Sequence, residues 1–188
     1  MCFRFVSDAG RALMATLLMV VSGRAGAADF QLWSPDLGQP PQITSRYVYN
    51  GLGCQGGNVS PALQWRHPPA GTRSFAVTVH DPDAPGDGGW WHWLVFNISA
   101  DVRAIPVGAS GTDAMPATAV ESRTDFGKPG YGGPCPPPGD APHRYRFRVV
   151  ALDVATLPLD AQTPAAQVGF MINQHRLAEA QIQVTYGR

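Results

Sequence analysis

Lysine is nearly absent from this chain of 188 residues, in which Lys128 is the only one. The basic residues, 14 in all, equal the acidic residues in number, so the formal net charge is zero. Proteins that bind nucleic acid or anionic membranes through electrostatics carry an excess of clustered Lys and Arg. The composition therefore argues against broad phosphate-backbone binding, and we expect no nucleic-acid partner.

Long apolar runs are scarce as well. The main candidate covers residues 12–21, which is shorter than the stretch of about 20 residues that spans a bilayer. Arg4 and Arg11 precede it and the small residues 25–28 follow it, which is the pattern of a secretory signal peptide. We predict a signal peptide over residues 1–28, a mature domain over residues 29–188, and a periplasmic or secreted protein with no transmembrane anchor after cleavage. An uncleaved anchor is the alternative.

Cysteine is also rare, with three in the chain. Cys2 lies in the predicted signal peptide, so the mature domain keeps Cys54 and Cys135. Their separation is unlike the Cys-x-x-Cys spacing of a redox pair, and exported proteins form disulfides in an oxidising compartment. We predict that these two residues form a disulfide bond.

Turn-forming residues are abundant, with 21 Gly and 18 Pro, and they separate segments that alternate with a period of two. Residues 74–80 and 144–152 alternate between apolar and other side chains, and residues 90–98 form a nearly continuous apolar and aromatic run. This pattern is typical of an antiparallel sandwich. We predict a mainly β, two-sheet single domain, in which residues 101–133 form a long surface connection with at most one short strand.

One helix is predicted late in the chain. Thr163 is placed to cap it and Pro164 suits its first position. An apolar stripe at helical spacing is formed by Val168, Met171, Ile172 and His175. The helix is expected to end near Ala180, where residues 181–186 begin to alternate and predict a last strand.

Two loops are much denser in unusual residues than the rest of the chain. Residues 79–93 and 130–147 are rich in Pro and Gly, and each loop leads into a strand-like segment that carries histidine. Together they supply Asp81, His92, His143 and Tyr145, which could form one polar pocket. Carboxylates close to the imidazoles would favour the cationic form, and backbone N–H groups at Gly132 and Gly133 could bind phosphate oxygens. The tryptophans at the end of the first segment, Trp90, Trp91 and Trp93, would add apolar walls.

Several segments together resemble the phosphatidylethanolamine-binding protein family, and most closely its bacterial Raf-kinase-inhibitor-like branch. The segments are Asp81-Pro-Asp-Ala-Pro85, Trp91-His-Trp93, Gly130-Tyr-Gly-Gly-Pro134, His143-Arg-Tyr145 and Ala151-Leu-Asp153. Further similarity covers residues 53–65, 125–129 and 175–180. The resemblance extends over almost all of the predicted mature domain, in order and at plausible spacing.

The resemblance implies a large β-sheet packed on a smaller one, with a C-terminal helix beside the pocket. It also implies an anion pocket made by Asp81, His92, His143 and Tyr145, whose rim is shaped by Asp83, Pro85, Gly133 and Pro134. The expected function is non-enzymatic binding of a phosphorylated small molecule or phospholipid head group, without a cofactor. Inhibition of a kinase or protease by protein contact stays open.

A metal-dependent enzyme is the alternative function. Asp81, His92 and His143 are one carboxylate and two imidazoles, which is the ligand set of a facial metal triad. No His-x-His or His-Glu-x-x-His spacing supports it, so the binding protein is the preferred interpretation.

Overall fold

Antiparallel strands dominate this structure, a computed structural model that describes Met1 and residues 29–188. The predicted signal peptide therefore lies, apart from Met1, outside the described residues. The elements in chain order are β1 (Gln31–Trp33), β2 (Asn50–Gly51), β3 (Cys54–Gln55), β4 (Leu63–Arg66), β5 (Ser74–Asp81), β6 (Trp90–Ser99), β7 (Ala104–Ile105), β8 (Val120–Glu121), β9 (His143–Leu152), α1 (Ala165–Gln174) and β10 (Arg176–Tyr186).

The strands form a large and a small sheet, with a short hairpin made by β2 and β3. The large sheet has the order β10-β9-β5-β6-β8, and the small sheet has the order β1-β4-β7. All the pairings are antiparallel. The predicted mainly β, two-sheet fold with one helix is confirmed. In the described part of the chain, no helix is both long and apolar enough to cross a membrane.

Both faces of the large sheet are covered, which explains why its central strands are so apolar. An inner core between the two sheets contains Phe75, Val77 and Val79 of β5 together with Leu63 and Trp65 of β4. A second core lies on the opposite face, where α1 covers it. It includes Ala76, Leu94, Phe96, Val150, Leu152, Val168 and Ile172. Because β5 is buried on both faces, its alternation separates two cores rather than core from solvent.

The helix differs from its predicted bounds at both ends. Thr163 does not cap it, because its hydroxyl donates to Asp160 Oδ1 at 3.0 Å, and Pro164 occupies the N-cap position. The helix ends at Gln174 and β10 already begins at Arg176, so the predicted end near Ala180 is wrong. Residues 176–186 pair with β9 along its whole length, and these ladder hydrogen bonds outweigh local helix propensity.

The connection over residues 101–133 is also more ordered than predicted. It contains two short strands, β7 and β8, where at most one was expected. Ile105, Ala109 and Tyr131 from this segment are buried in the inner core. The Glu121 carboxylate accepts hydrogen bonds from Trp93 Nε1 at 2.6 Å and from the Gly111 amide at 2.7 Å. A partly buried carboxylate and buried apolar side chains thus fix a segment whose sequence lacks periodicity.

Candidate functional site

A β-bulge in β6 places His92 at one end of the large sheet. Val79 lies opposite Trp93 and His80 lies opposite Trp91, so His92 has no partner on β5. An extra residue of this kind redirects a side chain, and such bulges are common beside functional sites. The His92 ring stands edge-on to Tyr145, with 5.2 Å between the ring centroids.

Four of the predicted pocket residues meet around one cavity of about 160 Å³. Asp81 ends β5, His143 begins β9, and Tyr145 lies two residues further along the same face of β9. With His92 they are each at most 4 % exposed. The remaining lining residues are Leu52, Ala84, Pro85, Trp90, Phe126, Cys135, Pro136 and Pro137. The cavity is therefore polar on its strand side and apolar elsewhere.

Asp81 and His143 form a buried pair. His143 Nδ1 lies 2.7 Å from Asp81 Oδ2, and the other carboxylate oxygen accepts the Asp83 amide at 2.9 Å. On its far side, His143 Nε2 is 3.6 Å from Asp140 Oδ2. Both oxygens of Asp81 are thus used inside the protein, and this carboxylate holds the His143 ring in place.

His92 is uncharged at neutral pH. Its Nδ1 lies 2.7 Å from the Gly132 carbonyl, which can only accept, so Nδ1 carries the hydrogen and Nε2 keeps a lone pair. Burial lowers the pKa of His92 to about 4 despite the opposing effect of Asp81. Asp81 favours the cationic form of this imidazole, as expected, but desolvation outweighs that attraction and keeps the ring neutral.

Two residues that line the cavity carry buried polar atoms without a hydrogen-bond partner among the described residues. These atoms are the Tyr145 hydroxyl and Trp90 Nε1. Burial raises the pKa of Tyr145, followed by the charge of Asp81 and the interaction of the hydroxyl with that carboxylate, so the hydroxyl stays protonated and can donate. Buried donors in native proteins are nearly always satisfied. An acceptor in the cavity would satisfy those of Tyr145 and Trp90.

The four predicted rim residues occupy different places. Pro85 lines the cavity, whereas Asp83, Gly133 and Pro134 do not. Asp83 instead accepts the side-chain Nε and the backbone amide of Arg144, each at 2.8 Å. These hydrogen bonds and the charge of Arg144 lower the pKa of Asp83. Asp83 therefore fastens the loop after β5 to β9.

The predicted anion-binding N–H groups at Gly132 and Gly133 are not available. The Gly132 amide donates to the His92 carbonyl at 2.9 Å, and the Gly133 amide donates to Asn58 Oδ1 at 2.8 Å. A Cβ at Gly133 would lie 2.0 Å from the Tyr47 carbonyl oxygen. This glycine is needed for close backbone packing, and the prediction that it presents its N–H to a ligand is wrong.

Part of the cavity wall was not predicted from the sequence. Phe126 comes from the 125–129 segment, and Pro136 and Pro137 come from the Pro-rich second loop. Leu52 has no sequence signal beyond its position between two glycines. The three tryptophans predicted to form apolar walls lie in different places. Trp90 lines the cavity, whereas Trp91 packs against α1 and Trp93 is fully buried in the inner core.

The predicted disulfide is present in the structure. Cys54 and Cys135 are bonded, with 6.0 Å between their Cα atoms, a normal separation for such a bridge. Cys135 itself lines the cavity. The bond therefore ties the β2–β3 hairpin to the second loop at the cavity wall.

The structure gives no support to the metal-triad alternative. No group of three or more His, Cys, Asp or Glu is arranged to hold a metal ion within the described residues. The Nδ1 atoms of His92 and His143 are already hydrogen-bonded to the Gly132 carbonyl and to Asp81 Oδ2, respectively.

The helix expected beside the pocket lies instead against the second core, on the opposite face of the large sheet from Tyr145.

Comparisons with known proteins agree with this architecture. A family model described as phosphatidylethanolamine-binding protein matches residues 39–187. The chain is 47% identical over 176 residues to YbcL of Escherichia coli strain K12, covering 93% of this chain and 96% of YbcL. YbhB of the same organism is 48% identical over 157 residues, covering 83% and 99%. The crystal structure of YbcL, described as a new member of the mammalian PEBP family, matches with a TM-score of 0.83 and covers 86% of this chain and 99% of that one.

Proposed function

The chain belongs to the phosphatidylethanolamine-binding protein family, and from that premise we propose that it is an exported, non-enzymatic protein that binds a small phosphate-bearing head group. The observation that carries this proposal is the buried Tyr145 hydroxyl, which lines the cavity without a partner among the described residues. Phosphate oxygens are strong acceptors for such a donor.

The charges of the cavity floor set a condition on anion binding. Asp81 is engaged by His143 and by a backbone amide, and its carboxylate also interacts with the Tyr145 hydroxyl, so an anionic ligand would compete with Asp81 for that donor. Neutral His92 would present a lone pair from Nε2 to the ligand, which repels an anionic oxygen unless a proton comes between them. We infer that an anionic head group enters together with a proton that His92 takes up.

The direct test compares two tyrosines by calorimetric titration with glycerophosphoethanolamine, a phosphodiester. Tyr145→Phe removes only the unpartnered hydroxyl, and we expect an affinity about tenfold lower, with unfolding stability unchanged or slightly higher. Tyr131→Phe is the matched control, because that buried hydroxyl donates to the Tyr47 carbonyl at 3.0 Å and lies outside the cavity lining. It should cost about 1 kcal/mol of stability and leave the affinity unchanged. Equal affinity of wild type and Tyr145→Phe would contradict the proposal.

The proton condition gives a second readout in the same titration. Because the pKa of free His92 is about 4 and a bound anion raises it, affinity should increase as the pH falls from 7 toward 5. Titrations at pH 6 in two buffers of different ionisation enthalpy should report net proton uptake. Proton release on binding would contradict this role of His92.

The proposed export is tested separately from binding. The chain would be expressed with residues 1–28 and recovered from the periplasm or medium. We expect a mature N-terminus near residue 29 and no titratable thiol, since Cys54 and Cys135 are bonded. An intact N-terminus in the cytosolic fraction would contradict export and leave the cavity argument untouched.

A further inference from the structure

Strand β10 lies at one edge of the large sheet, and its outer side is uncovered. It pairs with β9 on its inner side, with an irregularity between Arg176 and Ala178. No other backbone hydrogen bond reaches residues 177–186 within the described part of the chain. Residues 180–186 contain neither proline nor a charged side chain. Native proteins usually protect such an edge with proline, charge or a covering segment. This long, unprotected edge therefore indicates a surface that another chain covers.

A groove runs beside this edge, between β10 and β1. It consists of two adjoining cavities of about 660 Å³ and 510 Å³, which share Leu32, Trp33 and Gln181 among their lining residues. Phe30 and Ile182 also contribute to the groove, and its large apolar side chains are only partly buried. Side chains of a strand alternate between the two faces of a sheet. A strand added to β10 would therefore point every second side chain into this groove, where apolar residues fit best.

The opposite face of the sheet presents arginine side chains beside the same edge. Arg146 and Arg148 of β9 lie opposite exposed glutamines of β10. The Glu179 carboxylate is shared by two guanidinium groups, at 3.4 Å from Arg148 and 2.7 Å from Arg176. Arg146 forms no ion pair with any of the described residues. Positive charge is therefore in excess on this face.

Arg148 shows that this charge is incompletely compensated inside the protein. Its Nε is buried without a hydrogen-bond partner among the described residues, and so is the hydroxyl of Thr78, which lies opposite it on β5 and is 1 % exposed. Burial lowers the pKa of Arg148, Glu179 opposes this effect, and the charges of Arg176 and Arg146 lower the pKa further. Additional carboxylates near this face would offset that repulsion.

We propose that the outer edge of β10 is a docking site for an extended segment of a partner protein in which apolar and acidic residues alternate. The segment adds a strand to the large sheet, with its apolar side chains in the groove beside β1 and its carboxylates near Arg146 and Arg148. Neighbouring strands lie about 5 Å apart, so the added strand lies about 10 Å from β9, within the combined reach of arginine and glutamate side chains. In this mode of recognition, main-chain hydrogen bonds supply affinity and alternate side chains supply specificity.

Charge favours this occupant over a second copy of the chain. Pairing between the β10 strands of two copies would bring two arginine-bearing faces side by side. Gln181, Gln183 and Thr185 of the incoming strand are neutral, and its Glu179 is already shared by two arginines. Like charges placed together on a sheet are destabilising, whereas an acidic segment would compensate them. This inference does not depend on what the cavity at Tyr145 binds.

The first test asks whether a peptide adds as a strand. Calorimetric titration would use a short capped peptide in which valine alternates with glutamate, and two forms of it, methylated on the valine or on the glutamate backbone nitrogens. Successive N–H groups of a strand point to its two opposite edges. One methylated form should therefore bind like the parent, and the other should lose at least about tenfold in affinity. Equal affinities of the two forms, or no binding of the parent peptide, would overturn the proposal.

The second test asks whether the arginine face selects the acidic residues. Arg146→Gln should lower the affinity for the parent peptide about threefold and weaken its salt dependence. Arg146→Glu should bind it more weakly still and should prefer a peptide with lysine in place of glutamate. Arg46→Gln is the matched control, because Arg46 is exposed and does not line the groove; its affinity should equal that of wild type. Equal losses in Arg46→Gln and Arg146→Gln would show an effect of net charge alone and contradict the site.

The third test locates the peptide by amide hydrogen exchange. We expect slower exchange at residues 177–186 and no change in β8, which lies at the other edge of the large sheet. Equal protection of both edges would overturn the assignment to β10. Sedimentation of the protein alone gives the remaining outcome. A stable dimer in which residues 177–186 are already protected would show that a second copy occupies the edge, and would overturn the proposal.

Discussion

The floor and the rim of the cavity are built by different means. The floor residues lie at the ends of three neighbouring strands, β5, β6 and β9, whose backbones are fixed by ladder hydrogen bonds. The rim residues lie on the β2–β3 hairpin, the loop after β5 and the Pro-rich second loop. A disulfide, Arg188 and the Asp83–Arg144 pair hold these loops.

This difference separates stability from selectivity. A buried polar group costs free energy unless it is paired, so changes to the floor should disturb folding as well as binding. Leu52, Pro85 and Pro137 of the rim are exposed, and changes there should alter ligand preference with little effect on the fold.

The first prediction breaks the buried pair of the floor. Asp81→Ala leaves His143 Nδ1 without the acceptor that lies at 2.7 Å and removes the acceptor of the Asp83 amide. Loss of one partner of a buried pair costs about 3–5 kcal/mol. Urea denaturation should show this loss. Asp140→Ala is the control, because Asp140 is 44 % exposed and lies 3.6 Å from the other nitrogen of His143. A stability loss in Asp140→Ala as large as that in Asp81→Ala would contradict the prediction that the buried carboxylate matters more for stability than the exposed one.

The second prediction loosens the rim alone. Replacing both Cys54 and Cys135 by serine removes a cross-link between residues 81 apart in sequence. We expect the unfolding free energy to fall by about 2–4 kcal/mol, mainly because the unfolded chain gains freedom. Amide hydrogen exchange should accelerate at residues 50–55 and 135–139 well before it does in β5 and β9. Uniform acceleration over the large sheet would show that rim and floor are one cooperative unit.

The strand pattern and the identity of the floor residues could be predicted from the sequence, because each depends on local periodicity or on a compact motif. Alternation in residues 144–152 gives β9, and the same period places His143 and Tyr145 on one face. The direction in which the His92 side chain points could not be predicted. It depends on a bulge in the pairing of β5 with β6, and the register of that pairing is a property of two strands rather than one.

The errors arose where a long-range contact overrides a local preference. Residues 175–180 suit a helix, but β9 offers them a full hydrogen-bond ladder. Gly133 suits an anion site, but Asn58, 75 residues away, takes its N–H. The place of Leu52 in the cavity wall could not be predicted either, because its backbone carbonyl is held by Arg188, 136 residues away in sequence.

The third prediction concerns the pH dependence of the floor. Folding lowers the pKa of His92 from 6.5 to about 4, so the folded protein binds fewer protons than the unfolded chain between these values. The contribution of His92 is therefore intact above pH 6.5 and is lost as the pH falls toward 4. Unfolding free energies at pH 8 and pH 5 should differ by about 2 kcal/mol from this residue.

The variant His92→Asn isolates that contribution. Asparagine can still donate to the Gly132 carbonyl, but it does not titrate. The difference in unfolding free energy between wild type and variant should be smaller at pH 5 than at pH 8 by the same amount, about 2 kcal/mol. Parallel pH curves for the two proteins would show that His92 takes up its proton without cost, and would also remove the basis for proton uptake with the ligand.

The smallest expected loss of stability is that of an Asp83 variant. The sequence predicted that Asp83 lies in the pocket, but in the structure it binds Arg144 instead. Asp83→Asn keeps an acceptor for the Arg144 amide but removes the ion pair, which is partly exposed and therefore screened by water and salt. Folding lowers the pKa of Asp83, so the pair stabilises the fold fully above the ordinary carboxyl pKa, and this stabilisation is lost as the pH falls from that value toward the lower pKa of the folded state. We expect the unfolding free energy at neutral pH to fall by less than in the Asp81, cysteine or His92 experiments, and this loss should disappear in high salt.

The affinity of Asp83→Asn for glycerophosphoethanolamine should stay within about twofold of wild type, because Asp83 does not line the cavity. An affinity loss comparable to that of Tyr145→Phe would show that Asp83 takes part in binding, and would contradict the separation of a binding floor from a rim held by contacts such as Asp83–Arg144.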